Sequence, residues 1–216
     1  MKVATPIRAL KKAVFDQIEA GCAGLRVLGA EARISRNADA LSLRFDLPEG
    51  ASGLAHVATI KAGRPAGAFE LDPSLIVYGG RLRTLLDRLP DPNPHYRRLG
   101  ASLVVKATPD TQRLVVQGPS SLAVKRVVAL VGGDWAAALA AFTHDFGAAL
   151  DFTVAHPERV SDAFATAVIC ALWSRRAKSI PKLVALTRTN RWFGGSLRSQ
   201  GPEALLARVR ELVAER

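Results

Sequence analysis

Cysteine is scarce in this chain, since only Cys22 and Cys170 occur among its 216 residues. Two cysteines in so long a chain exclude the dense disulfide framework that supports small secreted domains. A single bridge between them stays open, but two buried thiols in a reducing compartment are the simpler interpretation. Because 49% of the residues are hydrophobic, the chain can bury a full core without help from disulfides or metals.

Long hydrophobic runs are also missing. The most apolar tract, residues 136–150, is interrupted by His144 and Asp145, so it falls short of the roughly 20 apolar residues that a membrane-spanning helix needs. The beginning of the chain contains Lys11 and Lys12 where a secretory signal would have an apolar stretch. We therefore expect a cytoplasmic protein that does not associate with membranes.

Catalytic and metal-binding motifs are absent from the sequence as well. The histidines are far apart and form no HxH or HExxH pair, and no CxxC or GxxxxGK[ST] occurs. None of the lysines has an acid two positions before it, which excludes the usual Asp/Glu-x-Lys nuclease pattern. We predict a protein without a cofactor, a metal or chemistry of its own. An enzyme with an unfamiliar site stays open as a third alternative.

Negative charge is missing from one long stretch of the chain. Residues 163–202, called the basic segment from here on, carry seven Lys and Arg residues and no Asp or Glu, while the whole chain has a net charge of +11. Residues 127–162, directly before it, are acidic overall. Segregation of charge along a chain favours surfaces of different electrostatic potential. In the alternative, the high net charge reflects composition alone and has no binding partner.

The spacing of apolar residues predicts the elements of the first half. A helix of about 25 residues is indicated by apolar positions three or four apart, namely Ile7, Leu10, Val14, Ile18, Cys22, Leu25 and Leu28. Five strands are then predicted by alternation and β-branched content, at 41–47, 56–61, 69–78, 102–108 and 113–117. The last two are expected to form a hairpin, because residues 109–112 between them favour a tight turn.

The second half has helical periodicity throughout. Gly132–Gly133 is expected to separate two helices, and Pro157, Pro181 and Pro202 are each expected to begin another. Strands followed by helices predict an α+β protein, with an N-terminal helix and an antiparallel or mixed sheet of about five strands before an all-helical C-terminal half. The regions 1–118 and 119–216 are either two domains or one integrated domain.

The basic segment supplies the candidate site. Lys and Arg side chains bind phosphates, and aromatic rings among them stack on exposed bases. Trp173 is assigned instead to the core, at the edge of an apolar helix face. The predicted contact residues are Arg175, Arg176, Lys178, Lys182, Arg188, Arg191, Trp192, Phe193 and Arg198.

Two geometries are open for this site. A helix-turn-helix would place helices at 180–187 and 192–199, but Gly194–Gly195 would cost such a recognition helix about 2 kcal/mol. A mobile loop over 188–201 would use the glycines for close approach to a ligand while its rings contact bases. In the alternative without a ligand, the same rings anchor the loop on the core and the arginines are merely solvated.

Other basic residues could extend the surface if the fold places them beside the basic segment. They are Arg81, Arg83, Arg97, Arg98, Lys125 and Arg126, together with Arg44, Lys61, Lys106 and Arg113 at polar strand positions.

The function predicted from the sequence is therefore non-catalytic binding of nucleic acid, with DNA favoured over RNA. The alternative is an assembly or adaptor protein whose basic segment docks an acidic protein partner. In that case the exposed edge of the sheet or the amphipathic first helix would form a homodimer.

Overall fold

The computed structural model describes residues 7–61, 68–78, 80–89, 103–106, 114–118, 122–160, 162–195 and 201–215. Within them the helices are α1 (Ile7–Gly21), α2 (Gly80–Leu86), α3 (Leu122–Ala129), α4 (Trp135–Thr143), α5 (Phe146–Ala155), α6 (Ala163–Trp173), α7 (Ile180–Thr189), α8 (Arg191–Gly195) and α9 (Pro202–Ala214). The strands are β1 (Arg26–Val27), β2 (Ala30–Glu31), β3 (Arg33–Arg36), β4 (Ala40–Asp46), β5 (Ser52–Lys61), β6 (Phe69–Tyr78), β7 (Leu103–Lys106) and β8 (Leu114–Val116).

The predicted fold class is confirmed: an N-terminal helix and an antiparallel sheet precede a helical C-terminal half. The main sheet has the strand order β3-β4-β5-β6-β7, and β8 also pairs with β6. Alternation places the apolar side chains of β4 on the inner face of the sheet, namely Leu41, Leu43 and Phe45. This inward face carries the helices, so the sheet supports them from one side.

The first helix is shorter than predicted, because it ends at Gly21. Of the apolar residues that were expected to extend its stripe, Cys22 and Leu25 lie between α1 and a two-stranded ribbon of β1 and β2, and Leu28 lies in the turn of that ribbon. The turn of that ribbon consists of Leu28 and Gly29, both of which have positive φ. Positive φ at both turn residues matches the twist of a two-residue hairpin, which helical spacing does not reveal.

The predicted hairpin near residue 110 is wrong. β7 pairs antiparallel with Ser74–Val77 of β6, and β8 pairs antiparallel with Phe69–Leu71 of the same strand. The two strands therefore run in the same direction along one edge of β6. The pairing is interrupted beside Pro73, which has no N–H to donate to a neighbouring strand. The turn expected at 109–112 lies outside the described residues.

The glycine pair at 132–133 does not end a helix as predicted. A π-helical turn, Leu130–Asp134, connects α3 directly to α4. Val127, Val131 and Trp135 are buried along this run. Their burial keeps the chain helical across the glycines, because tertiary packing outweighs a weak local propensity.

Helix α6 lies at the centre of the helical half. It contacts α2, α5, α7, α8 and α9, and every side chain from Ala163 to Ala171 is buried. It begins at Ala163, after a short turn at Pro157–Arg159, rather than at Pro157 as predicted. Pro181 and Pro202 do lie in the first turns of α7 and α9, which confirms those two starts.

One main hydrophobic core contains buried side chains from both halves of the chain. Its members include Leu10 and Ile18 of α1, Phe69 of β6 and Val209 of α9. Both cysteines are free and buried in it, and burial raises the pKa of the Cys170 thiol to about 12. No helix of the described chain has the length and apolar character needed to cross a bilayer.

Candidate nucleic-acid interface

The basic segment comes to the surface at the C-terminal end of α6. Its buried stretch ends at Ala171, Trp173 is half-buried, and Arg175 and Arg176 are exposed. The N–H of Arg176 donates to the carbonyl of Ala171 at 2.7 Å, and the N–H of Arg175 donates to that of Leu172 at 3.2 Å. This is the Schellman pattern, which satisfies the last carbonyls of the helix.

Arg175 occupies the left-handed position of that pattern, with φ of 59°. Glycine is the usual residue there, because a Cβ makes the left-handed conformation costly. An arginine at this position therefore lowers the stability of the helix end relative to glycine. Backbone strain at an exposed cationic residue favours a ligand-binding role for its side chain.

The candidate cations on the described surface are all exposed. Arg175, Arg176 and Lys178 lie between α6 and α7, Lys182 and Arg188 lie on α7, and Arg191 begins α8. Arg198 lies outside the described residues.

Only one of these described cations has a carboxylate partner among the described residues. Arg176 binds Asp151 of α5 at 2.8 Å and also donates to the carbonyl of Gly147 at 3.4 Å. Arg175, Lys178, Lys182, Arg188 and Arg191 have no such ion pair within the described ranges. Five exposed cations without a carboxylate partner, on consecutive elements, give this part of the described chain a local excess of positive charge, which attracts anions.

Helix α7 presents its cations to solvent because its other side is anchored. Ile180 and Leu183 are buried, whereas Lys182 and Arg188 lie on the exposed side of the helix. Asn190 then ends α7, and its side-chain oxygen accepts the N–H of Trp192 at 2.9 Å. This side-chain bond holds the start of α8 directly after α7.

Neither predicted geometry matches the described residues. α8 follows α7 after Asn190 alone, so the predicted break between residues 187 and 192 is not reproduced. Residues 196–199 of the predicted second helix lie outside the described residues. The first part of the predicted mobile loop is helical instead. A Cβ at Gly194 would lie 2.7 Å from the carbonyl oxygen of Thr187, whereas one at Gly195 would meet open space. Gly194 thus allows close packing of α8 on α7.

The two aromatic residues of α8 differ in position. Phe193 is fully buried and belongs to the hydrophobic core, so the base contact predicted for it does not fit the structure. The packing role given as the alternative does fit Phe193. Trp192 is half-buried, and the guanidinium carbon of Arg191 lies 4.8 Å from the centroid of its ring. Trp192 therefore remains the candidate stacking residue of this helix.

Arg81 is the one secondary cation that the described structure places beside the basic segment by a direct contact. The guanidinium carbon of Arg81, on α2, lies 5.1 Å from the ring centroid of Trp173. Trp173 also contacts Phe146, with ring centroids 4.5 Å apart. Trp173, assigned to the core from sequence, packs against the hydrophobic core at the end of α6 and keeps part of its surface exposed.

The outer face of the sheet is less basic than its sequence indicates. Asp46 binds both Arg33, at 2.6 Å, and Arg44, at 2.9 Å. The side chains of Lys61 and Lys106 are not described, and Arg113 lies outside the described residues. The described part of this face therefore offers no unpaired arginine platform around Arg44.

A separate cleft of about 590 Å³ lies between α1 and the turn after β3. Its cationic lining residues are Arg8, Lys12 and Arg36, and the last two bind Asp16. Hydrogen bonds from Arg36 and Lys12 hold the pKa of the Asp16 carboxyl below its ordinary value. Because two of the three lining cations are already paired, the cleft is a weaker candidate than the basic segment for binding a polyanion.

Two of the described histidines have a polar side-chain neighbour, and one of these pairs is His156 Nδ1 with Glu158 Oε1, 3.7 Å apart on the exposed surface. His56 Nδ1 lies 3.0 Å from Ser42 Oγ across two strands, and burial lowers the pKa of His56. Within the described ranges, no group of three metal-ligating side chains comes together.

No family model, curated protein or solved structure matches this chain.

Proposed function

We propose that this protein binds nucleic acid without chemistry of its own, with DNA favoured over RNA, and that it acts in the cytoplasm. The observation that carries the proposal is the set of five exposed cations without a carboxylate partner in the described chain: Arg175, Lys178, Lys182, Arg188 and Arg191. Phosphates supply the missing negative charge, and Trp192 supplies a ring for a base.

The experiment is a titration of fluorescent oligonucleotides at several salt concentrations, with duplex DNA, single-stranded DNA and RNA compared. If five phosphates are bound, log K falls against log[salt] with a slope of about −4.5 for duplex and −3.5 for single strands. For a duplex, this slope means a loss of roughly 500-fold between 50 and 200 mM salt. Binding without a salt slope would contradict the proposal.

A matched pair of double variants tests the location of the site. Lys182→Ala/Arg188→Ala removes two cations of α7, and Lys125→Ala/Arg126→Ala removes two exposed cations of α3. Both lower the net charge by two, so general attraction falls equally. We expect the α7 variant to reduce the duplex slope by about 1.8 and the α3 variant to leave it unchanged. Equal effects would assign binding to overall charge.

The second candidate function is an adaptor that docks an acidic protein and forms a homodimer. The observation that favours it is a small apolar cluster of Leu54, Ile76 and Tyr78 outside the main core. The edge strand β3 is the dimer contact in this hypothesis, because α1 already buries its apolar face in the core.

Trp192→Ala separates the two functions. Stacking on a base predicts a loss of about 1 to 3 kcal/mol in oligonucleotide binding, whereas docking of an acidic protein predicts no change in that binding. Sedimentation equilibrium on the wild type measures the homodimer directly.

A further inference from the structure

Arg81 brings a cation from the first half of the chain to the end of α6. Its guanidinium lies over the ring of Trp173, and the same ring contacts Phe146. A cation–π contact with an indole restrains the position of the guanidinium, whereas a solvated arginine side chain has no such restraint. Arg81 is thus held in place although its side chain is exposed.

A cation–π contact does not pair the N–H donors of the guanidinium with an oxygen acceptor. Arg81 has no carboxylate partner among the described residues. Arg176 shows the contrasting case, because Asp151 binds its guanidinium. Arg81 therefore keeps its N–H donors for an external acceptor while the ring of Trp173 restrains the position of its guanidinium.

Arg81 lies beside the first residues of the proposed interface. Its supporting ring, Trp173, is followed within two residues by the left-handed Arg175. Helix α2 also contacts α6 and α9, so the backbone that carries Arg81 is anchored on the helical half. Two unpaired arginines near one helix end favour an anion between or beside them.

We propose that Arg81 is a phosphate-contacting residue of the nucleic-acid interface, oriented by Trp173. This inference rests on the proposed function and adds a contact from outside the basic segment. A phosphate is the matched group because two parallel N–H donors of a guanidinium bind two of its oxygens. The contact is independent of base sequence, since backbone phosphates are the same at every position.

The test measures duplex binding over a range of salt for Arg81→Ala, Arg81→Lys and the control Arg126→Ala. Arg81→Ala should weaken binding about tenfold at low salt and reduce the salt slope by about 0.9. Arg81→Lys should keep the slope but bind roughly threefold more weakly, because a lysine provides the charge without the planar fork. Arg126→Ala should leave the slope unchanged.

The outcomes separate this inference from the proposed function. If Arg81→Ala behaves like Arg126→Ala while the α7 double variant loses affinity, Arg81 only packs on Trp173, and the inference fails alone. If the wild type shows no salt-dependent binding, the proposed function is wrong, and the inference that rests on it is wrong as well. Thermal unfolding checks that each variant folds. If Arg81→Ala does not fold, Arg81→Lys decides the question. An affinity of Arg81→Lys equal to that of the wild type would overturn the proposed contact between the planar guanidinium and a phosphate.

Discussion

Arg175 allows stability and binding to be separated at one position. Arg175→Gly and Arg175→Ala remove the same charge, but only glycine relieves the left-handed backbone at φ of 59°. Relief of that conformation is worth about 1 to 2 kcal/mol, and the greater freedom of glycine in the unfolded chain returns about 0.4 to 1 kcal/mol. We therefore expect Arg175→Gly to be more stable than Arg175→Ala by about 1 kcal/mol.

The two variants should nevertheless bind oligonucleotide alike. A difference of about 1 kcal/mol corresponds to roughly 2 to 4 °C in Tm for a chain of this size, measurable by calorimetry. In salt titrations of duplex DNA, both variants should lose about 0.9 from the slope, because each removes one phosphate contact. The comparison cancels the helix-dipole contribution of the cation, since both variants lack it.

Two results would refute this reasoning. If alanine at position 175 is as stable as glycine, the residue is not held in the left-handed conformation in solution. If the glycine variant binds as well as the wild type while the alanine variant does not, binding follows the stability of the helix end, and Arg175 is not a phosphate contact.

Two further predictions concern the surroundings of the interface. Gly194→Ala should destabilise the protein by about 1 to 3 kcal/mol in urea unfolding, because its Cβ would meet the Thr187 carbonyl. Gly195→Ala is the control, since its Cβ would meet open space, and equal effects of the two substitutions would contradict the close packing of α8 on α7. Asp151→Asn should change the free energy of unfolding by less than about 1 kcal/mol, as expected for an exposed ion pair. The same variant should bind oligonucleotide more tightly, because Arg176 loses its carboxylate partner, and weaker binding would contradict the proposed site.

The strands show how far a local pattern extends. Alternation in 41–47 correctly identified the inward row of β4, because the pleat of a strand depends only on neighbouring residues. The same kind of pattern did not reveal the partner of β7 and β8. Pairing is a long-range choice, and here both strands use β6, so the predicted hairpin was wrong even though its strands exist.

The candidate site divides in a similar way. The absence of acids between Asp162 and Glu203 identified the basic segment directly. Burial then distinguished Phe193, which packs in the core, from Trp192, which keeps part of its surface. The two rings are adjacent in sequence, so composition alone gave them the same predicted role.

The order of a first helix, strands and then further helices, the inward row of β4 and the location of the unbalanced charge were determined by the sequence itself, because each depends on residues close together in the chain. Only the tertiary structure decided which cations keep their charge unpaired and which distant residues join them. Asp151 neutralises Arg176, and α2 carries Arg81 onto Trp173. Both contacts join residues far apart in the chain, so they exist only once α2, α5 and α6 have packed into one core.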